Sequence, residues 1–255
     1  MSVKVKEVID ALEHFAPLPL QESYDNAGLQ TGLTEAEVSG ALLCLDVTEE
    51  VMREAVELGC NLIVSHHPVL FRGLRQVSDA TQVQRVVRMA VQNDIAIYSA
   101  HTNLDKAEDG VNYKIAERLG LIDVTPIGQC GVMGYLSAPM DSRFFLDKVK
   151  EVFHCACLMH NSVLPRPVQS VAVCGGAGED LLGEALAQEA DAFLTGEMRY
   201  HTCMGHDEEI LICVLGHYES ERYTVELLED ILAVEFPHMP LYKTEINTNP
   251  IHYLY

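Results

Sequence analysis

At 255 residues with 48% hydrophobic side chains, the chain is long enough for one large or two modest domains with real cores. Its formal net charge of −21 argues against sequence-independent nucleic-acid binding, which needs clustered Lys and Arg to neutralise phosphates. The same acidity favours cations, although most of these charges serve solubility.

Eight cysteines occur without any Cys-x-x-Cys spacing, and several lie in apolar runs where the thiol acts as a small hydrophobe. Charges interrupt residues 1–13, so no signal peptide is read there. No apolar stretch approaches the roughly 20 residues that span a bilayer. A reduced, cytoplasmic protein away from membranes is the expectation.

In chain order, Val5, Val8, Ile9, Leu12 and Phe15 fall at helical spacing and predict an amphipathic helix ended by Pro17. Residues 22–32 are rich in turn formers, so Asp25 and Asn26 read as residues that bond the local backbone, with a functional role as the alternative. Residues 41–46 form a strand, and Thr48 caps a helix over 49–58. The apolar run Leu62, Ile63, Val64 suits a buried parallel strand, which Pro68 stops. Its C-terminal end carries His66 and His67. Residues 81–92 are helical, residues 95–100 form a third strand running into His101 and Asp105, and a short helix covers 111–119. This β-α-β-α-β order predicts a parallel sheet with right-handed crossovers.

From residue 131 the texture changes to strand, helix, strand, with a connector at 164–167. The earlier pattern then recurs: strands at 168–174, 192–194 and 210–215, helices at 181–189 and 219–233, and a last strand at 241–246. The expected division is a first α/β part at 1–126, a short middle segment of the second domain at 127–167, and a second α/β part at 168–255.

Ligands of open α/β sheets bind at the C-terminal ends of the strands. Those ends carry Asp46, His66 and His67, then His101 and Asp105, and finally His217 and Glu221, four apart across a helix start and so on one face. Neighbouring residues of an extended chain point to opposite sides, so adjacent histidines serve two metal ions more naturally than one. His66, His67, Asp105, His217 and Glu221 together offer three nitrogens and two carboxylates. Shared between two ions, that set needs a bridging carboxylate and water to complete the shells. It suits zinc, iron, manganese or cobalt better than calcium or magnesium. Lone histidines such as His14, His154, His160, His206 and His238 read as ordinary hydrogen-bonded residues. Gly175, Gly176 and Gly178 follow a strand and precede a helix, where backbone amides can cradle a phosphate, although a tight turn explains them as well.

The motifs Tyr24-Asp-Asn-Ala-Gly-Leu-Gln30, Leu45-Asp-Val-Thr48, Ser65-His-His-Pro68, His101-Thr-Asn-Leu-Asp105, Gly175-Gly-Ala-Gly178, Thr195-Gly-Glu197 and Gly216-His-Tyr-Glu-Ser-Glu221 are similar, in order, to those of a known family. It is the GTP cyclohydrolase 1 type 2 homologue family, also called Nif-three-like. The resemblance covers nearly the whole chain and implies two α/β domains with largely parallel sheets and a dinuclear metal site at strand C-terminal ends between them. It puts two divalent transition-metal ions on His66, His67, Asp105, His217 and Glu221, with Glu221 bridging. His101, Glu197 and His201 match positions that line the family's site, and the last two are the candidate proton carriers. The resemblance also implies a homohexamer, a trimer of dimers, in the form without an inserted domain. The activity to expect is metal-dependent hydrolysis of a nucleotide, cyclic amide or phosphoester small molecule. The alternative is a non-catalytic metal-binding or scaffold hexamer.

Overall fold

The structure, a computed structural model, describes residues 2–254. The described residues form eleven strands: β1 (Gly28–Thr31), β2 (Ala41–Cys44), β3 (Leu62–Ser65), β4 (Ala96–Ser99), β5 (Ile122–Ile127), β6 (Gly131–Met140), β7 (Met159–His160), β8 (Val168–Cys174), β9 (Ala192–Thr195), β10 (Leu211–Val214) and β11 (Leu241–Lys243). They form two sheets, in the orders β1-β4-β3-β2-β11 and β5-β6-β8-β9-β10-β7. The chain belongs to the mixed α/β class, with parallel strands at the centre of each sheet. It divides into two compact units: the residues up to Ala107 with Thr224–Pro250, and Glu108–Tyr223 with the residues from Ile251 on.

In the first unit, β2, β3 and β4 are buried along their whole length, as the apolar runs of a parallel sheet covered on both faces must be. Ile63, Ile97, Val51, Met52 and Val86 lie in its core. The helix Glu49–Leu58 starts where the Thr48 side chain accepts from Val51 N, and ends at Gly59, whose φ of +70° glycine adopts without strain. Thr81 caps the helix Gln82–Gln92 through Gln84 N in the same way. The antiparallel edge strand β1 falls inside the stretch expected to be turns. Its Gly-Leu-Gln-Thr sequence carries no apolar alternation, so only pairing with β4 makes it a strand.

In the second unit, β8, β9 and β10 form a parallel core flanked by antiparallel neighbours. Phe193, Ile212, Ala172 and Leu182 pack within it. β5 is an edge strand the sequence did not announce: it contains Pro126, its register shifts between Ile122 and Thr125, and most of its residues are exposed. The helix expected over 219–233 divides into His217–Glu221 and Thr224–Glu235.

The last strand differs from expectation in its partner. β11 lies parallel to β2, so the segment assigned by chain order to the second α/β part returns to the first sheet. Correspondingly β5, at 122–127, belongs to the second sheet although the expected boundary fell at 126. Such long-range pairing leaves no local signal. Among the described residues, no helix is long and apolar enough to cross a membrane.

Candidate metal-binding residues

In the first unit the donors gather where β3 and β4 end. Backbone pairing continues one step past β3, with His66 N donating to Cys44 O at 3.2 Å and His67 N to Leu45 O at 2.9 Å. Both histidines are therefore held by backbone bonds in the bend that follows β3. Ser65 Oγ bonds the His67 carbonyl at 2.9 Å and lies 2.8 Å from Ser99 Oγ, which fixes the turn into Pro68.

Each imidazole is oriented by an oxygen. His66, fully buried, places Nδ1 2.8 Å from the Ala100 carbonyl. His67 places Nδ1 2.7 Å from Asp46 Oδ1, and His101 places Nδ1 2.7 Å from Asp25 Oδ1. Carbonyls and carboxylates only accept, so in all three rings Nδ1 carries a proton, and Nε2 is the nitrogen left to act as a ligand when the ring is neutral. This is the arrangement of a histidine ready to bind a metal. The ring centroids lie 4.9–5.5 Å apart, and the three residues each offer a ring nitrogen within 4.8 Å of the others. Asp105, on the short helix Thr102–Lys106 after β4, brings Oδ1 to 3.7 Å from His66 Nε2. Two donors about 2.1 Å from one ion at tetrahedral angles sit roughly 3.4 Å apart, so this spacing fits a shared cation.

Asp25 does more than the turn reading allowed. Its Oδ1 does accept from the neighbouring Asn26 N at 2.7 Å, but the carboxylate also orients His101 and accepts from the Thr102 backbone and hydroxyl. Burial alone raises its pKa; the bonds from His101 and Thr102 outweigh burial and hold it well below the usual carboxylate range. Asp46 follows the same logic, lowered by His67 and by Thr248 against its burial. The signal for Asp25 was its place in a motif, since turn chemistry explains Asp-Asn locally.

In the second unit, the helix His217–Glu221 follows β10. His217 Nδ1 lies 2.9 Å from Glu197 Oε1, and its Nε2 lies 3.0 Å from Glu221 Oε2. Glu197 thus orients His217, a contact the sequence did not disclose. Glu221 is buried, with its carboxylate against the turn after β8. Gly176 there has a φ of +57°, and a Cβ on it would run into Glu221 Oε1. Gly176 N donates to Ser220 Oγ at 3.0 Å, Gly175 N to Asn112 Oδ1 at 2.8 Å, and Glu197 N to Gly176 O at 2.9 Å. The first two amides of the glycine turn are therefore engaged by side chains of their own unit. Gly178 packs against Cys174. His201 lies exposed in the turn Tyr200–Cys203, edge-on to Tyr200.

Two α/β units carry, at strand C-terminal ends, histidines and carboxylates that could hold a metal ion, which defines a mixed α/β protein with a candidate metal site. A family model, described as Duf34/NIF3 (NGG1p interacting factor 3), matches residues 3–250, and the chain belongs to that family. It is 33% identical to a GTP cyclohydrolase 1 type 2 homolog of Clostridium acetobutylicum, over 97% of this chain and 94% of that one. It is 30% identical to NIF3-like protein 1 of Drosophila melanogaster, over 97% and 88%. Among solved structures it is similar to a Staphylococcus aureus hypothetical protein, SA1388, with a TM-score of 0.91, 26% identity and full coverage of both chains.

Proposed function

We propose that the protein holds two divalent transition-metal ions on His66, His67, Asp105, His217 and Glu221, with Glu221 bridging, and uses them to hydrolyse a small molecule. The observation that carries this reading is the shared setting of His66, His67 and His217: each has Nδ1 on a protein oxygen, which turns Nε2 into the candidate ligand atom, on His217 directly beside the Glu221 carboxylate. Bound ions of this kind lower the pKa of a coordinated water towards neutrality and polarise the bond to be attacked. Glu197, exposed at its carboxylate and bonded to His217, is the candidate to carry a proton between solvent and the reacting water, with His201 as the other candidate. The substrate class is a nucleotide, a cyclic amide or a phosphoester, and the name of the Clostridium relative supports the first of these. We further propose a hexameric assembly.

Elemental analysis of protein purified without chelators should find about two ions of zinc, iron, manganese or cobalt per chain. A screen of nucleotides and cyclic amides with the reconstituted protein, and with His67→Ala as control, tests the hydrolase reading. A stoichiometry near zero after reloading with each metal defeats the proposal. Two ions per chain with no turnover of any substrate leaves a metal-binding protein and removes the enzyme.

A further inference from the structure

We propose that Cys130 and Cys174 are an oxidisable dithiol that closes to an intramolecular disulfide. None of the eight cysteines is disulfide bonded, and the Cys130 and Cys174 sulfurs lie 3.5 Å apart. Their positions follow from the sheet. Val132 of β6 and Val173 of β8 are register partners, and the two cysteines lie just beyond them, Cys130 before Val132 and Cys174 after Val173. Asn112 clamps the same backbones together, donating to the Cys130 carbonyl at 2.6 Å and accepting from Gly175 N at 2.8 Å. The side chain that does this is itself buried. The thiols are thus held face to face by two independent restraints, and a sulfur–sulfur bond needs a further approach of about 1.5 Å.

The two thiols differ in exposure, which sets the order of events. Cys130 is half-buried and reachable by a small oxidant, whereas Cys174 is buried behind it. With hydrogen peroxide as oxidant, the Cys130 thiolate attacks one peroxide oxygen, the O–O bond breaks, and the departing hydroxide takes a proton to leave as water. Cys130 is then a sulfenic acid. The Cys174 sulfur attacks the sulfenyl sulfur, the S–O bond breaks, and the second oxygen also leaves as water. Two thiols lose two hydrogens and two electrons, and one peroxide becomes two waters. The remaining cysteines lack such a neighbour in range: Cys44, Cys60, Cys155 and Cys213 are buried, Cys203 bonds the Arg199 carbonyl, and Cys157 is exposed.

The test uses the full chain, treated with an equimolar dose of hydrogen peroxide, denatured in alkylating reagent and mapped by mass spectrometry. The expected result is a Cys130–Cys174 crosslinked peptide that dithiothreitol reverses, with Cys157→Ser behaving as the parent. Cys130→Ser should remove the crosslink and leave Cys174 alkylated. Because Cys174→Ser alters a buried position, the Cys130→Ser variant, at a half-exposed position, carries the decision. Sulfenic acid on Cys130 without a crosslink, or crosslinks running mainly through Cys157, would overturn the proposal. This test is independent of metal content, so its outcome and that of the metal reading do not depend on each other.

Discussion

In the first unit three histidines stand at the ends of β3 and β4, with their Nδ1 atoms on Ala100, Asp46 and Asp25. In the second unit a single histidine, His217, lies between two glutamates, one on each ring nitrogen. The first set is rich in nitrogen and deeply built: two of its three anchors are carboxylates, each locked by a further hydroxyl from Thr102 or Thr248. The second is rich in oxygen and more open, since Glu197 is 57% exposed while Glu221 is 6% exposed at the side chain. The comparison teaches that rigidity is supplied differently. Hydrogen-bond networks hold the first set, whereas a glycine turn packed on Glu221 holds the second.

The largest expected effect tests which set supplies the bridge. If Glu221 is the bridge proposed above, Glu221→Ala should abolish binding of both ions in a calorimetric metal titration, because a bridging carboxylate donates to each and offsets their repulsion. Asp105→Ala should leave one site at least partly loaded. Equal loss in the two variants would remove the distinction between bridge and terminal ligand.

Next in size is Gly176→Ala, which tests whether the second set depends on its turn. A methyl group there meets the Glu221 carboxylate and is strained at a φ of +57°. Metal affinity should fall about 100-fold, with a stability cost of about 1 kcal/mol by chemical denaturation. Unchanged affinity would show that Glu221 needs no support from the turn.

The anchors of the first set should matter less. Asp46→Ala frees a proposed ligand, His67, and should weaken metal binding nearly 100-fold at unchanged stoichiometry; Asp25→Ala acts on His101 and should cost about tenfold. A change in stoichiometry for Asp25→Ala would promote His101 to a ligand in its own right.

The smallest effect belongs to a carboxylate that orients no histidine. Hydrogen bonds from Lys4 and Lys6, both at 2.8 Å, hold the exposed Glu35 down to about 2 from an ordinary 4.5. A lowered folded-state pKa stabilises the ionised form, so the contribution is present above pH 4.5 and is lost as pH falls towards about 2. Glu35→Gln should lower Tm slightly at neutral pH, with the two curves converging in acid, and added salt should shrink the gap. A difference that persists at pH 2 would contradict this origin.

Much of this was legible in the sequence wherever the signal is local. Strands β2, β3 and β4 announce themselves as short apolar runs, and the histidines at their ends follow from the break at Pro68. The capped helices after Thr48 and Thr81 were equally plain. What could not be read depends on distant partners. β1 exists because β4 lies beside it, β11 because β2 has an open edge, and Asp25 orients a histidine 76 residues away. Glu219 is a similar case: two positions from Glu221 and on another face of the helix, it is buried against Gly216. Burial first, and then its carboxylate, push the Cys155 thiol up to about 12.

The bond from Thr248 to Asp46, at 2.7 Å, joins residues 202 positions apart. A ribosome makes Asp46, His66 and His67 early, but the hydroxyl that steadies Asp46, and β11 along the edge of the same sheet, leave it only after most of the chain. A nascent chain therefore displays its histidine pair before the pair is fully oriented. If the first unit binds a metal as proposed, the histidine pair reaches its full orientation for that ion only once the returning segment has been made.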